Sequence, residues 1–327
     1  AALMGAPAST VVFISGGIEA NALAIESAVA TGARRLIVSA VEHDAVLETA
    51  RASGAAVEFW PVDAEGRAEL DWLSARLERW DASEGAAFVA LRVGNSESGV
   101  MQPVAEAAEM VRAAGGWLHV DAVQAAGKIG FDSRALGADT LAVSAHKLGG
   151  PQGVGALTFG PRARLSRRLH GGGQERGWRA GTENLPGVAG FAAAAAAAVQ
   201  GLELMAAQAA WRDAAQARLR DAGAEILGAD AARLPNTLCL AMPGYPAELQ
   251  VMNLDLAGVM ISAGSACSSG KVKASHVVSA MGRADLAGCA IRVSGGWATI
   301  AEDWTEFAEA WIKAHERHAA RRRAPAA

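Results

Sequence analysis

Short apolar runs rich in β-branched residues alternate along the first half of the chain with longer segments whose apolar residues recur at helical spacing. That alternation leaves few folds open. "TVVFIS" ends in glycines, and the segment after it, "EANALAIESAVATG", opens as a helix at Glu19 and stops at Gly32. "RRLIVSA", "AVEFWPV", "AAFVALRV", "WLHVDAV", "ADTLAVS" and "GVGALTFG" read as further strands, with "AVLETARASG", "ELDWLSARLERW" and "VAEAAEMVRAAG" as helices between them. Strands that are apolar on both faces belong inside a sheet covered on both sides. The pattern therefore predicts an α/β fold, a mostly parallel sheet covered by helices, with ligands expected at the carboxyl ends of the strands.

Beyond Pro186 the pattern changes. "FAAAAAAAV" is made of the best helix former, and one long helix is expected to run to about Gly223. The domain boundary is placed along it, giving a large domain over 1–200 and a smaller C-terminal α+β domain over 201–327. The smaller domain would hold strands at "NTLCLAM" and "AIRVS" and helices at "PAELQVMNLDLAG" and "WTEFAEAWIKAHERHAARR", with the final "RRRAPAA" fraying.

The balance of charge narrows the function classes. A net charge of −4 gives no reason to expect nucleic acid, and the cluster Arg162, Arg164, Arg167 and Arg168 reads as a solvated face. No bilayer-spanning run is expected, and "AALMGAPAST" lacks the basic region and apolar core of a signal peptide, so the expected home is cytoplasmic. The 3 cysteines form no Cys-x-x-Cys pair, which argues against a disulfide framework and a structural zinc site. Cys239 and Cys289 sit in apolar runs and read as buried thiols. Cys267, in "SAGSACSSGK", lies among hydroxyl and glycine residues too polar and mobile to be a packing solution.

Two strand ends carry chemistry. "DTLAVSAHKLGGPQGVGAL" finishes a buried strand with Ser144, His146 and Lys147. A lysine there is either a surface ammonium or an amine for a Schiff base. "HVDAVQ" finishes another strand with Asp121, followed by Gln124, and that carboxylate is either a helix cap or a partner for a ring nitrogen. Together they match what pyridoxal phosphate requires, an amine to hold its aldehyde and a carboxylate to keep its ring nitrogen protonated. "SGGIEAN" adds backbone N–H groups from Gly17 and Ile18 at a helix start, suited to a phosphate.

With these residues on view, the chain resembles the cysteine desulfurases of the NifS/IscS type, members of the class-V aminotransferase family with the fold type I pyridoxal-phosphate architecture. The motifs "SGGIEANALAI", "EHDAVL", "NSESGVMQP", "HVDAVQAAGKIGFD", "SAHKLGGPQGVGAL", "HGGGQERGWRAGTEN", "SAGSACSSG" and "IRVSGG" occur in that family's order from about Thr10 to about Trp311. The resemblance implies that Lys147 forms the internal aldimine, that Asp121 pairs with the ring nitrogen and Gln124 with the ring oxygen, and that His43 stacks on the ring and moves protons. It gives Gly17, Ser144 and His146 to the phosphate, with Thr182 supplied by the second subunit of a homodimer, and Arg292 to the carboxylate of the substrate, L-cysteine. Cys267 would take the sulfur as a persulfide and carry it on a mobile loop to an acceptor or scaffold protein of iron–sulfur cluster assembly or thiolation.

The chain departs from the family at a few places. Ile18 replaces a threonine of the phosphate loop, keeping the backbone donor and offering a side chain to bury. Ser96 stands where a second asparagine near the ring oxygen is usual, with Asn95 before it on the substrate side. The extended segment that precedes the first motif in the family is not part of the sequence. A selenocysteine lyase or aminotransferase on the same scaffold would also use Lys147 and Asp121 but has no need of Cys267, and a non-catalytic sulfur carrier or scaffold partner is the remaining alternative.

Overall fold

The computed structural model describes residues 1–264 and 273–323. They divide into two compact units. The first comprises residues 1–62, 68–95 and 102–202, and the second residues 63–67, 96–101 and 203–327. The crossing near Leu202 is joined by two short excursions, 63–67 and 96–101, that the sequence pattern does not announce.

The first unit is built on strands β1 (Val11–Ile14), β2 (Arg35–Ser39), β3 (Ala56–Trp60), β4 (Phe88–Arg92), β5 (Trp117–Asp121), β6 (Thr140–Ser144) and β7 (Gly155–Phe159). They form one sheet in the order β1-β7-β6-β5-β4-β2-β3. The pairs from β3 through β6 are parallel, whereas β7 runs antiparallel to both β6 and β1. The mostly parallel expectation holds, with an antiparallel margin. Helices α1 (Gly17–Ala30), α2 (Asp44–Ala52), α3 (Leu70–Glu78), α4 (Val104–Ala113) and α5 (Leu185–Gln200) complete the unit. Val12, Leu36, Phe88, Ala142 and Leu157 of the sheet pack with Leu23, Ile25 and Val46 of α1 and α2 in one buried cluster. Each valine, leucine, isoleucine or phenylalanine among them contributes about 1.5–3 kcal/mol through the surface it removes from water. That stiffness keeps the ends of β4, β5 and β6 in fixed register.

The second unit contains α6 (Leu202–Asp221), β8 (Glu225–Leu227), β9 (Thr237–Ala241), α7 (Ala247–Asp255), β10 (Ser262–Ala263), α8 (His276–Ala280), β11 (Ala290–Ser294) and α9 (Ala301–Arg323). Its antiparallel sheet has the order β10-β11-β9-β8. Leu238, Leu240 and Ile291 of that sheet pack against Trp304, Phe307 and Trp311 of α9.

Three sequence expectations are corrected. The single helix expected after Pro186 is two, because glycine, the weakest helix former after proline, interrupts it at Gly201, where α5 has ended and before α6 begins. The uncharged stretch from Asn184 to Leu202 is longer than expected, yet no single helix among the described residues is long and apolar enough to cross a membrane. Finally, α9 continues through Arg321, Arg322 and Arg323 rather than fraying at them, since cations suit the negative end of a helix dipole.

Candidate active site

The parallel register aligns Arg92 with Asp121 and Asp121 with Ala142, so β4 and β5 finish at one level and β6 runs two residues further, to Ser144. Just beyond, Ala145–Lys147 forms a short 3-10 turn that displays His146 and Lys147 at the surface of the unit. The start of α1 is pressed against the same level. A Cβ added to Gly17 would lie 2.8 Å from Val123 Cγ2 and 3.6 Å from Ser144 Cβ, so glycine is what lets the helix approach. The helix begins at Gly17, ahead of the expected Glu19, and no side chain caps it. Its first-turn N–H groups are thus left without a side-chain cap beside Ser144, whose hydroxyl lies 2.9 Å from His146 Nδ1.

Asp121 is buried, and both of its oxygens are engaged. Oδ1 accepts from the Val123 N–H at 2.9 Å, and Oδ2 from Asn21 Nδ2 at 2.8 Å. Asn21, on α1, was not singled out by the sequence reading, nor was His119, which meets Asn21 through Nε2 at 2.9 Å. A signal was present: Trp117, His119 and Asp121 alternate along β5, so all three share one face of the sheet.

His43 is the N-cap of α2, and its Nδ1 accepts from the Ala45 N–H at 3.0 Å. An acceptor at Nδ1 leaves the imidazole proton on Nε2, so the ring offers an Nε2–H donor. Burial lowers the His43 pKa, and Arg92 lowers it further; Asp121 and Asp44 act in the opposite sense, and Lys147 adds to the lowering. His43 therefore senses both Asp121 and Lys147. Beside it lies a second buried feature that sequence reasoning missed. Glu42 is fully buried, and its Oε2 lies 3.6 Å from Nε of buried Arg92. Burial pushes the Glu42 carboxyl up to about 7 against the opposing pull of Arg92. Asn95, also buried, donates from Nδ2 to the Val41 carbonyl at 3.0 Å and ties the end of β4 to the loop that carries Glu42 and His43.

The remaining candidates of the first unit are less enclosed. Gln124 is half-buried and accepts from Lys128 Nζ at 2.7 Å. Thr182 is exposed and lines a hollow together with Ser15, Gly153 and Arg179. Arg179 pairs with Glu19 at 2.9 Å and neutralises the carboxylate in the first turn of α1. In the second unit, half-buried Arg292 donates from Nη1 to the Ser96 carbonyl at 2.9 Å and from Nη2 to the Ser262 hydroxyl at 3.0 Å. That fixes its guanidinium plane with N–H groups to spare.

Comparison with known proteins settles the family of the chain. The profile of the family described as Aminotransferase class-V matches residues 1–307. The chain belongs to that family. Within it the chain stands with the cysteine desulfurases: it is 41% identical to the cysteine desulfurase of Cereibacter sphaeroides, over 85% of this chain and 73% of that one. It is likewise 41% identical to the cysteine desulfurase of Frankia sp. (strain EuIK1), over 93% of this chain and 76% of that one. Among solved structures, a NifS-like protein superposes with a TM-score of 0.86 at 31% identity, covering 96% of this chain and 85% of that one. A NifS-like protein from Rickettsia africae gives 0.80 at 28% identity, covering 94% and 81%. The fold is thus that of the fold type I pyridoxal-phosphate enzymes.

Set in the class-V aminotransferase family, the cysteines sort by environment. Cys239, on β9, is buried, and burial pushes its thiol up to about 12, so it stays protonated and inert. Cys289 departs from its expected place in the core: it is half-buried in the turn before β11. Cys267 lies outside the described residues. Ile18 also departs from expectation, since its side chain is 67% exposed on the first turn of α1 instead of buried within the chain.

Proposed function

We propose that the chain acts as a cysteine desulfurase on L-cysteine, releasing L-alanine and keeping the sulfur as a persulfide on Cys267 for an acceptor protein in the cytoplasm. The observation that carries this reading is the gathering, within one unit, of the strand-end amine of Lys147, the strand-end carboxylate of Asp121 and the uncapped start of α1. The donor set fits pyridoxal phosphate. When bound, the cofactor supplies an aldehyde that takes up an amine and a protonated ring that accepts electrons released at the substrate Cα.

The division of labour among the residues follows from their chemistry. Lys147 Nζ anchors the aldehyde, and as a free amine it is the base for the substrate Cα proton. Asp121 holds the proton of the ring nitrogen, and Gln124 and Ser96 serve the ring oxygen. The backbone donors of Gly17 and Ile18, with Ser144 and His146, hold the phosphate, joined by Thr182 from the second copy of a homodimer. His43 covers the ring face and shuttles protons from its Nε2 side. Arg292 takes the substrate carboxylate with its remaining N–H groups, and Asn95 is a further substrate-binding residue. The Cys267 thiolate attacks the substrate sulfur, the carbon–sulfur bond breaks with its electrons left on Cβ, and a proton delivered to Cβ together with the return of the Cα proton from Lys147 gives alanine.

The purified protein, loaded with pyridoxal phosphate and given L-cysteine and a thiol reductant, is expected to release sulfide and alanine in equal amounts. Cys267→Ser is expected to bind cofactor normally and release neither at more than a trace rate. Full activity in that variant, or products other than alanine, would overturn the reading.

A further inference from the structure

We propose that Asn21 and His119 are positioning residues, links in one buried hydrogen-bonded chain from Trp117 through Thr140 that aims the Asp121 carboxylate. The inference rests on the proposed pairing of Asp121 with the cofactor ring nitrogen and adds to it the residues that fix its geometry.

The direction of the links is set from the carboxylate end. Asp121 Oδ2 can only accept, so the Asn21 amide turns its nitrogen toward it, at 2.8 Å. Asn21 Oδ1 then faces His119 Nε2 across 2.9 Å and can only accept, so Nε2 carries the imidazole proton. In the neutral ring Nδ1 is left as an acceptor, and the Thr140 hydroxyl donates to it across 2.9 Å. The Trp117 indole can only donate, and its Nε1 lies 3.0 Å from Thr140 Oγ1, which accepts. Asn21, His119 and Thr140 are each at most 1% exposed, so no water competes for these groups.

The chain takes its parts from β5, β6 and α1, and it fixes one carboxylate oxygen while the Val123 N–H fixes the other. Asp121 can then neither swing nor tilt without stranding a buried donor, which is costly. The His119 ring is neutral in this arrangement, and burial agrees, lowering its pKa to about 4. A protonated His119 would leave the Thr140 hydroxyl hydrogen with nothing to accept it.

The test uses the holoenzyme. With 15N-labelled histidine, the His119 resonances, identified by their loss in His119→Phe, are expected to report the neutral Nε2–H tautomer; the Nδ1–H tautomer or an imidazolium would overturn the proposal. With pyridoxal phosphate labelled at its ring nitrogen, Asn21→Leu and His119→Phe are expected to move the 15N shift toward the unprotonated value. His119→Phe keeps a ring to stack on Phe88, as His119 does at 6.2 Å. His119→Gln, whose amide can accept from Thr140 and donate to Asn21, is expected to restore the wild-type shift. Equilibrium titration of the apoenzyme variants should show cofactor binding weakened about tenfold or more in Asn21→Leu, the scale of one hydrogen bond to a charged group. If Asn21→Leu fails to fold, Thr140→Val probes the same shift from the far end. A wild-type shift in the chain variants, with a moved shift in Asp121→Asn, would sink the positioning role and leave Asp121 standing. An unmoved shift in Asp121→Asn as well would sink the reading of Asp121 itself.

Discussion

At the scale of single residues, two buried titrating groups give stability opposite dependences on pH. The His119 pKa falls from 6.5 to about 4 on folding, through burial. Between those values the unfolded chain binds the extra proton, so the stability present above pH 6.5 is lost as the pH falls through about 4, by about 3 kcal/mol. The Glu42 carboxyl rises from 4.5 to about 7, again through burial. There the folded chain keeps the proton, and stability is lost as the pH rises from 4.5 through about 7. The two slopes oppose one another in the wild type. His119→Gln is therefore expected to lose the acid limb and show stability falling steadily from pH 4.5 to 7 in urea unfolding. An unchanged acid limb would mean that His119 is protonated in the folded protein. Lys147, Asp121 and Gly17 were singled out as candidates in the sequence because each closes an apolar run with a residue that packing does not ask for. Asn21 and His119 were not: the alternation along β5 puts His119 on the face of Asp121, but a buried asparagine or histidine with satisfied partners looks the same in sequence whether or not it serves a site.

Secondary-structure elements were legible where one physical cause dominates, as in β4 and β5, whose every residue is buried. They were less so where causes compete: an alanine-rich run favours one helix, and Gly201 divides it. Ion pairs across elements left no trace in the sequence pattern. Arg35, Glu58, Arg76 and Glu84 form a closed ring, with Arg35 on Glu58 at 2.9 Å and on Glu84 at 2.5 Å, and Arg76 on Glu58 at 2.5 Å and on Glu84 at 2.9 Å. The ring ties β2 and β3 to α3 and to the turn at Ala82–Glu84. Arg76 also lies over the Trp80 ring, 4.6 Å from its centroid. A single exposed ion pair contributes little, but in a ring each side chain is ordered once for two partners. Arg76→Ala is expected to cost about 1–2 kcal/mol, part of it cation–π contact, with a loss that shrinks in 1 M salt as the charges are screened. A cost that does not change with salt would assign the effect to packing against Trp80 alone.

On the scale of the whole molecule, the family places the chain among enzymes that hold pyridoxal phosphate, and the first unit supplies an amine, a carboxylate, an imidazole and an uncapped helix start of its own. Fold class and the succession of strands and helices along the chain were open to sequence reasoning because they follow from alternation and from residues near one another in the chain. The excursions 63–67 and 96–101 into the second unit were not, since they depend on contacts between distant segments. Everything proposed for the first unit turns on Lys147 as the anchoring amine. Borohydride reduction of the holoenzyme followed by peptide mass mapping locates that amine directly. The expected result is loss of the visible band and a reduced pyridoxyl group on Lys147, with neither seen in Lys147→Ala. A protein that carries no borohydride-sensitive band, or one labelled instead on Lys128 beside Gln124, would contradict it.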